Sequence, residues 1–144
     1  MYKIILAPLD GSKRAEAILP HLREIARLYQ AKVVFLQVIE PPPLAAGAEV
    51  ANITAKAIEA LKKQAEIYLT GLKGEFRDQG IESRTVVANS PIIDAIITTA
   101  ERENADLIAL ASHGRTGLSR AFYGSVAAGV LHRVDRPLLL IRSD

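Results

Sequence analysis

The residues after one apolar run near the C-terminus are of the types that bind phosphate. The loop from Ala111 to Gly117 contains Gly114 and is followed by Gly124-Ser125. Glycines leave backbone N–H groups unshielded, and a helix beginning near Gly124 would add the positive end of its dipole. Arg115 adds positive charge within the loop. These residues could therefore cradle the phosphates of a nucleotide. Alternatively, the glycines only shape a connection and a helix cap, because such features also occur without ligands.

A carboxylate follows the first apolar run, in the sequence Asp10-Gly11-Ser12. Close to a polyphosphate, Asp10 would repel the phosphate oxygens unless it met a ribose hydroxyl or a divalent metal ion. The same tripeptide is also common in turns and caps, where the aspartate serves only the backbone. The residue alone leaves both interpretations open. The ligand interpretation gains support if this strand ends at the binding edge of a parallel sheet.

Other chemistries fit the sequence poorly. The chain has neither the glycine-rich P-loop with its lysine nor a G-x-G-x-x-G after the first apolar run. Ser112-His113-Gly114 would need a glycine at Leu110 to form a nucleophile elbow. His21, His113 and His132 lack the spacing of metal ligands. We therefore predict no catalytic residue and no protein metal site.

Composition sets the broad class of protein. The chain has 144 residues, and its 18 basic and 16 acidic side chains give a net charge of +2. Its length fits a single domain over residues 1–144, and its weak charge argues against nucleic acid or an anionic membrane as a partner. Cysteine is absent, which excludes disulfides and thiol chemistry. Since no segment resembles a signal peptide or a membrane span, we expect a cytoplasmic protein.

Short apolar segments alternate with segments of helical period. The apolar segments predict buried strands over Lys3–Leu9, Lys32–Ile39, Ser83–Val87, Ala105–Ala111 and Pro137–Arg142. Helices are predicted between them, the last from about Gly124 to Val134. This alternation indicates an α/β fold, in which an open parallel sheet has helices on both faces.

Prolines mark three further features of the chain. Pro20 lies inside the first helical pattern and should kink that helix or delay its regular start. The segment from Pro41 to Val50 has no clear period, and we interpret it as a loop. In Ser90-Pro91, we expect the serine to cap the third helix and the proline to be its first residue.

The loop sequences and the element order together resemble the universal stress protein family over essentially the whole chain. The resemblance is carried by Asp10-Gly11-Ser12, by Ala111 to Leu118, by Gly124-Ser125 and by Pro137 to Ile141. It implies a Rossmann-like, open five-stranded parallel sheet of order 3-2-1-4-5, related to the adenine nucleotide alpha hydrolases. One branch of the family binds ATP through the signature G-x-x-G-x(9)-G-[ST]. This chain matches the signature except at its first glycine, which is Ala111 here.

Roles for individual residues also follow from the resemblance. Asp10 would meet the ribose or a phosphate-bound metal ion, and the backbone of Val38 would meet the adenine edge. Arg115 is included on the ground of its charge alone. The complete predicted site consists of Pro8, Leu9, Asp10, Val38, Ala111, Gly114, Arg115, Gly124, Ser125 and Val126. The resemblance implies ATP as the ligand, with Mg²⁺ or Mn²⁺ held by its phosphates.

The resemblance further implies a homodimer formed through the last strand, Pro137 to Ile141. Pairing with a second copy would cover an apolar edge strand that is otherwise prone to aggregation. The expected function is that of an ATP-binding regulatory or sensor module in stress response, with a regulatory protein partner that the sequence does not identify. Hydrolysis of ATP or self-phosphorylation would be slow at most. The alternative is a nucleotide-free dimer that acts through protein contacts only.

Overall fold

The fold is taken from a computed structural model that describes residues 1–40, 48–113 and 125–143, without the side chains of residues 48–53 and 113. The strands are β1 (Ile4–Leu9), β2 (Lys32–Val38), β3 (Ser83–Ala88), β4 (Leu107–His113) and β5 (Leu138–Ser143). A 3₁₀ helix covers Ala15–Ile18, and the α-helices are α1 (Leu19–Tyr29), α2 (Ala48–Asp78), α3 (Ile92–Arg102) and α4 (Ser125–Arg133).

The strands form one five-stranded sheet of order β3-β2-β1-β4-β5. Every neighbouring pair is parallel. The predicted α/β fold and strand order are therefore confirmed. From β1 at the centre of the sheet, the chain adds β2 and β3 in one direction and then β4 and β5 in the other direction. The reversal between β1 and β4 matters for function, because ligands of such sheets bind beyond the carboxyl ends of the strands at this point.

Both faces of the sheet are covered, because alternate residues of each strand point to opposite sides. In β2, Val33 and Phe35 belong to an apolar cluster that includes residues of α1 and α2. Val34 and Leu36 belong to a second cluster that includes residues of α3 and α4. All four are fully buried. This two-sided burial explains why the strand sequences are continuously apolar.

Pro20 delays the first α-helix rather than kinking it. A 3₁₀ turn precedes α1, which begins at Leu19 with Pro20 in its first turn. Backbone N–H groups in the first turn of a helix make no intrahelical hydrogen bond, so a proline, which lacks the N–H group, is accommodated there.

Two predictions at the starts of helices need correction. The predicted loop from Pro41 to Val50 ends earlier, because α2 already begins at Ala48; residues 41–47 lie outside the described part of the chain. The third helix begins at Ile92, and Pro91 is its N-cap with an extended ψ of 136°. Ser90 therefore precedes the cap, and the cap makes no side-chain hydrogen bond. Instead, the carbonyl of Pro91 accepts a hydrogen bond of 2.9 Å from the N–H of Ala95.

A close approach between helices positions α4. A Cβ atom added to Gly129 of α4 would lie 2.7 Å from Cδ1 of Ile93 in α3. Only glycine fits this contact without displacing Ile93, so the two helix axes come close together. As a result, the N-terminus of α4 at Ser125 is held near the carboxyl end of β4. None of the described helices is both long and apolar enough to cross a membrane.

Candidate functional site

A cleft lies at the carboxyl ends of β1, β2 and β4, where the strand order reverses. Its volume is about 680 Å³, including the part that is open to solvent. The described residues that line it are Pro8, Leu9, Asp10, Arg14, Ala15, Val38, Ile92, Leu110, Ala111, Ser112, Ser125, Val126 and Ala127.

The cleft brings together seven of the ten residues of the predicted site. They come from four separate parts of the chain, namely the end of β1, the end of β2, the end of β4 and the start of α4. The seven are Pro8, Leu9, Asp10, Val38, Ala111, Ser125 and Val126. The other three predicted residues, Gly114, Arg115 and Gly124, lie outside the described part of the chain.

Asp10 is held in a defined turn at the end of β1. Its Oδ1 accepts hydrogen bonds from the backbone N–H of Ser12 at 2.8 Å and from the Ser12 hydroxyl at 2.5 Å. The Ser12 hydroxyl oxygen in turn accepts the N–H of Ala15 at 3.1 Å, at the start of the 3₁₀ helix. Gly11 permits this turn because it takes a φ of 85°. The cap interpretation of Asp10-Gly11-Ser12 is therefore correct as local structure, and it leaves Oδ2 of Asp10 outside the turn.

Electrostatics keep Asp10 ionised. Partial burial raises the pKa of Asp10, but the hydrogen bonds from Ser12 and the nearby charge of Arg14 together outweigh burial, so the pKa lies below its usual value. Nη2 of Arg14 lies 3.7 Å from Oδ2 of Asp10. The cleft therefore presents a carboxylate and a guanidinium side by side at neutral pH.

The 3₁₀ helix that follows this turn is tied to α2. The hydroxyl of Tyr68 in α2 donates a hydrogen bond of 2.5 Å to Oε2 of Glu16. Burial of Tyr68, together with the hydrogen bond to Glu16 and the charge of that carboxylate, raises the tyrosine pKa well above its usual value. The phenol thus stays a hydrogen-bond donor at neutral pH, and the contact fixes the position of the segment that carries Arg14.

The sequence prediction missed several residues of the cleft. Arg14 could have been found from its i,i+4 spacing to Asp10 at the end of a strand. Ile92 is the first residue of α3, and its place at the cleft depends on how that helix packs. Ser112 was predicted to lie in the loop from Ala111 to Gly117, but it is a residue of β4, because that strand runs to His113, and it is only 3% exposed. The missed lining residues are Arg14, Ala15, Ile92, Leu110, Ser112 and Ala127.

The chemistry of the lining is mainly apolar, with a few polar groups. Proline, leucine, isoleucine, valine and alanine side chains supply surfaces that can pack against a flat ring. Ser125 supplies a hydroxyl and is the first residue of α4, where free N–H groups favour an anion. Among the described residues, no group of three or more His, Asp or Glu side chains could hold a metal ion. The arrangement suits a ligand with a ring at one end and negative charge at the other.

Comparisons with known proteins agree with this fold. The family model described as "Universal stress protein family" matches residues 1–142. The chain therefore belongs to the universal stress protein family. Universal stress protein MJ0577 of Methanocaldococcus jannaschii is 28% identical, over 99% of this chain and 96% of its own. The solved structure of MJ0577 superposes with a TM-score of 0.86 at 28% identity and covers 100% of this chain and 98% of its own.

Two solved structures of more distant relatives contain nucleotides. A universal stress protein in complex with cAMP is 19% identical, with a TM-score of 0.68 over 99% of this chain and 98% of its own. The protein from Archaeoglobus fulgidus in complex with dAMP is 22% identical, with a TM-score of 0.61 over 98% of each chain. At these identities, the likeness establishes a shared fold.

Proposed function

We propose that this protein binds an adenine nucleotide, ATP by preference, and acts as a homodimeric regulatory module in stress response. The observation that supports this proposal most is the cleft at the reversal of strand order. It gathers residues from the ends of β1, β2 and β4 and from the start of α4. This is where open parallel sheets bind nucleotides. Relatives of the same fold in complex with cAMP and dAMP support an adenine nucleotide as the class of ligand.

The lining suggests how the ligand would lie. The adenine ring would pack against apolar side chains of the cleft and meet backbone groups at Val38. Asp10 would accept hydrogen bonds from ribose hydroxyls, because its carboxylate is ionised and Oδ2 lies outside the Ser12 turn. The phosphates would bind at Ser125, the N-terminal residue of α4. By resemblance, Gly114 and Gly124 would add N–H donors.

A divalent cation would enter with the phosphates. Mg²⁺ in nucleotide sites is usually held by one or two carboxylates and by phosphate oxygens, with water completing its shell. Asp10 is the only carboxylate among the described residues that line the cleft. The donor set therefore fits a metal ion carried by the nucleotide, which Asp10 could contact. The metal would neutralise phosphate charge.

The dimer would form through β5, which is the last strand of the sheet order. Within the described part of the chain, no strand pairs with its outer edge, and the backbone N–H and C=O groups that point away from β4 could pair with a second copy. Leu140 in this strand is 38% exposed although it is a large apolar residue. Antiparallel pairing of two β5 strands across a twofold axis would cover both the outer edge of β5 and the exposed side chain of Leu140.

Replacing Leu140 by lysine tests the dimer. The twofold axis would bring two added charges close together at the interface, so we expect the dissociation constant of the dimer to rise by at least about a hundredfold. Sedimentation velocity across a concentration series measures this change. The matched control is Leu28→Lys, since Leu28 is an exposed leucine of α1. A Leu140→Lys protein that stays dimeric at the same concentrations as the unmodified protein would contradict this interface.

The second candidate function is a dimer that binds no nucleotide and acts through protein contacts alone. Ala111 favours it, because this residue lines the cleft and adds a methyl group where the family signature has glycine. Titration of the purified protein with ATP and Mg²⁺ in a calorimeter separates the two functions. Saturable binding supports the nucleotide-binding module, whereas the absence of binding leaves the protein-contact function.

A further inference from the structure

The charges that line the cleft are few and lie side by side. Among the described lining residues, Asp10 is the only acidic side chain and Arg14 is the only basic one. Nη2 of Arg14 lies 3.7 Å from Oδ2 of Asp10, with side-chain exposures of 35% and 52%. An ion pair this exposed contributes little free energy, since water competes for both partners. A ligand that offers either group a better partner can therefore separate them.

The backbone fixes the position of Arg14 at the mouth of the cleft. Arg14 is the N-cap of the 3₁₀ helix, with a φ of −63° and a ψ of −47°. Its carbonyl accepts the N–H of Ala17 at 3.2 Å. The neighbouring residues are held as well. The N–H of Ala15 donates to the Ser12 hydroxyl oxygen at 3.1 Å, and the N–H of Glu16 donates to the Ser12 carbonyl oxygen at 3.2 Å. The long side chain can thus change partner while its backbone remains in place.

We propose that Arg14 is a phosphate-recognition residue, which leaves Asp10 when a nucleotide binds and donates to a phosphate oxygen. This inference rests on the proposed nucleotide-binding function and adds a specificity-determining residue to it. A guanidinium group binds phosphate strongly, because its planar N–H donors match two phosphate oxygens at once. The exchange also removes an obstacle at Asp10. Once Arg14 has left, Oδ2 of Asp10 can contact a metal ion bound to the phosphates. Its hydrogen bonds to ribose hydroxyls do not require Arg14 to leave, because a carboxylate oxygen accepts more than one hydrogen bond.

If Arg14 exchanges Asp10 for a phosphate oxygen, it should contribute to the affinity for ligands that carry phosphate and not to the affinity for the nucleoside. Adenosine has no phosphate, so its affinity should not depend on a residue that contacts phosphate alone. ATP carries several negative charges and should lose affinity when Arg14 becomes neutral. A residue that only supports the turn around Asp10 would affect both ligands alike, because both contain ribose and adenine.

Substitution of Arg14 by glutamine tests the inference, with adenosine and ATP as the two probes. Both affinities are measured by calorimetry with Mg²⁺ on the full chain. We expect Arg14→Gln to weaken ATP binding about tenfold, which corresponds to the loss of one charge-assisted contact, and to leave adenosine binding unchanged within about twofold. Arg14→Lys keeps a charge but loses the planar fork, so we expect a smaller loss for ATP.

Lys13→Gln is the matched control. Lys13 is exposed, adjoins Arg14 and does not line the cleft among the described residues. Both substitutions remove one positive charge from the same segment, so long-range attraction changes equally. We expect Lys13→Gln to bind ATP as the unmodified protein does.

Several results would overturn the inference. An equal loss for adenosine and ATP in Arg14→Gln would show that Arg14 only positions the Asp10 turn. Unchanged ATP binding would show that Arg14 makes no phosphate contact, and an equal loss of ATP binding in Lys13→Gln would show a general charge effect. In each of these cases the unmodified protein still binds ATP, so the proposed function stands. If the unmodified protein binds neither probe, the proposed function fails and the role of Arg14 fails with it.

Discussion

Replacement of Ala111 by leucine is expected to lower the affinity for ATP by at least about a hundredfold, or ~2.8 kcal/mol. Ala111 is half-buried near the end of β4, lines the cleft and pairs with Ile141 of β5. Its methyl group already packs against the apolar cluster on the α1 and α2 side of the sheet. The larger isobutyl group therefore has little space except in the cleft, where it would occupy part of the volume needed by the nucleotide.

The reverse substitution provides the matched control. Ala111→Gly introduces the glycine of the family signature and removes the methyl group, so we expect ATP affinity equal to or higher than that of the unmodified protein. Calorimetry with ATP and Mg²⁺ measures both variants, and thermal melting checks that both are folded. A folded Ala111→Leu protein that binds ATP within about threefold of the unmodified protein would show that the nucleotide does not occupy this cleft.

Truncation of Phe35 to alanine should lower the free energy of unfolding by ~3–5 kcal/mol. Phe35 is fully buried at the centre of β2, and its ring packs edge-on against Phe76 of α2 with 4.9 Å between centroids. The substitution removes buried apolar surface and this aromatic pair and leaves a cavity between the sheet and α2. Since domains of this size are stable by only ~5–15 kcal/mol, the loss is a large share of the total.

Urea denaturation measures the effect of Phe35→Ala. Leu28→Ala is the control, because Leu28 is 74% exposed and its truncation should change the free energy of unfolding by less than ~0.5 kcal/mol. A loss of less than ~1 kcal/mol in Phe35→Ala would contradict the burial described for β2. Equal losses in the two variants would contradict it as well.

The sheet was predictable because its strands are buried on both faces. A continuously apolar segment such as residues 32–39 would expose apolar side chains to water if only one face of the strand were buried, so it predicts a strand buried on both faces. The alternation of such segments with helical segments indicates parallel strands that are connected by helices. The order of the strands came from the family resemblance, since periodicity does not specify which strands are neighbours. Boundaries were less predictable. The start of α2 at Ala48 follows a proline-rich segment without period, and the cap at Pro91 depends on backbone angles that the sequence does not encode simply.

The site could be predicted where its residues belong to loop motifs. Asp10 belongs to the tripeptide Asp10-Gly11-Ser12 after a predicted strand, and Ser125 belongs to the dipeptide Gly124-Ser125 at the start of a predicted helix. The structure places both Asp10 and Ser125 at the cleft. Residues that reach the cleft through tertiary packing could not be found in this way. Ile92 lines the cleft because α3 packs beside β2. Ser112 belongs to the predicted loop motif, but it lines the cleft as a residue of β4, which runs to His113. Arg14 is intermediate, since its spacing to Asp10 indicates an ion pair but not a position at a cleft.

Binding of ATP to the purified protein is the most direct test of the central claim. Nucleotide is first stripped from the protein and identified by mass, and the stripped protein is then titrated with ATP and Mg²⁺ in a calorimeter. We predict that adenine nucleotide is released and that ATP rebinds saturably, with one molecule per chain. A preparation that releases no nucleotide, and that shows no heat of binding with ATP although it is folded, would contradict the claim that this universal stress protein is a nucleotide-binding module.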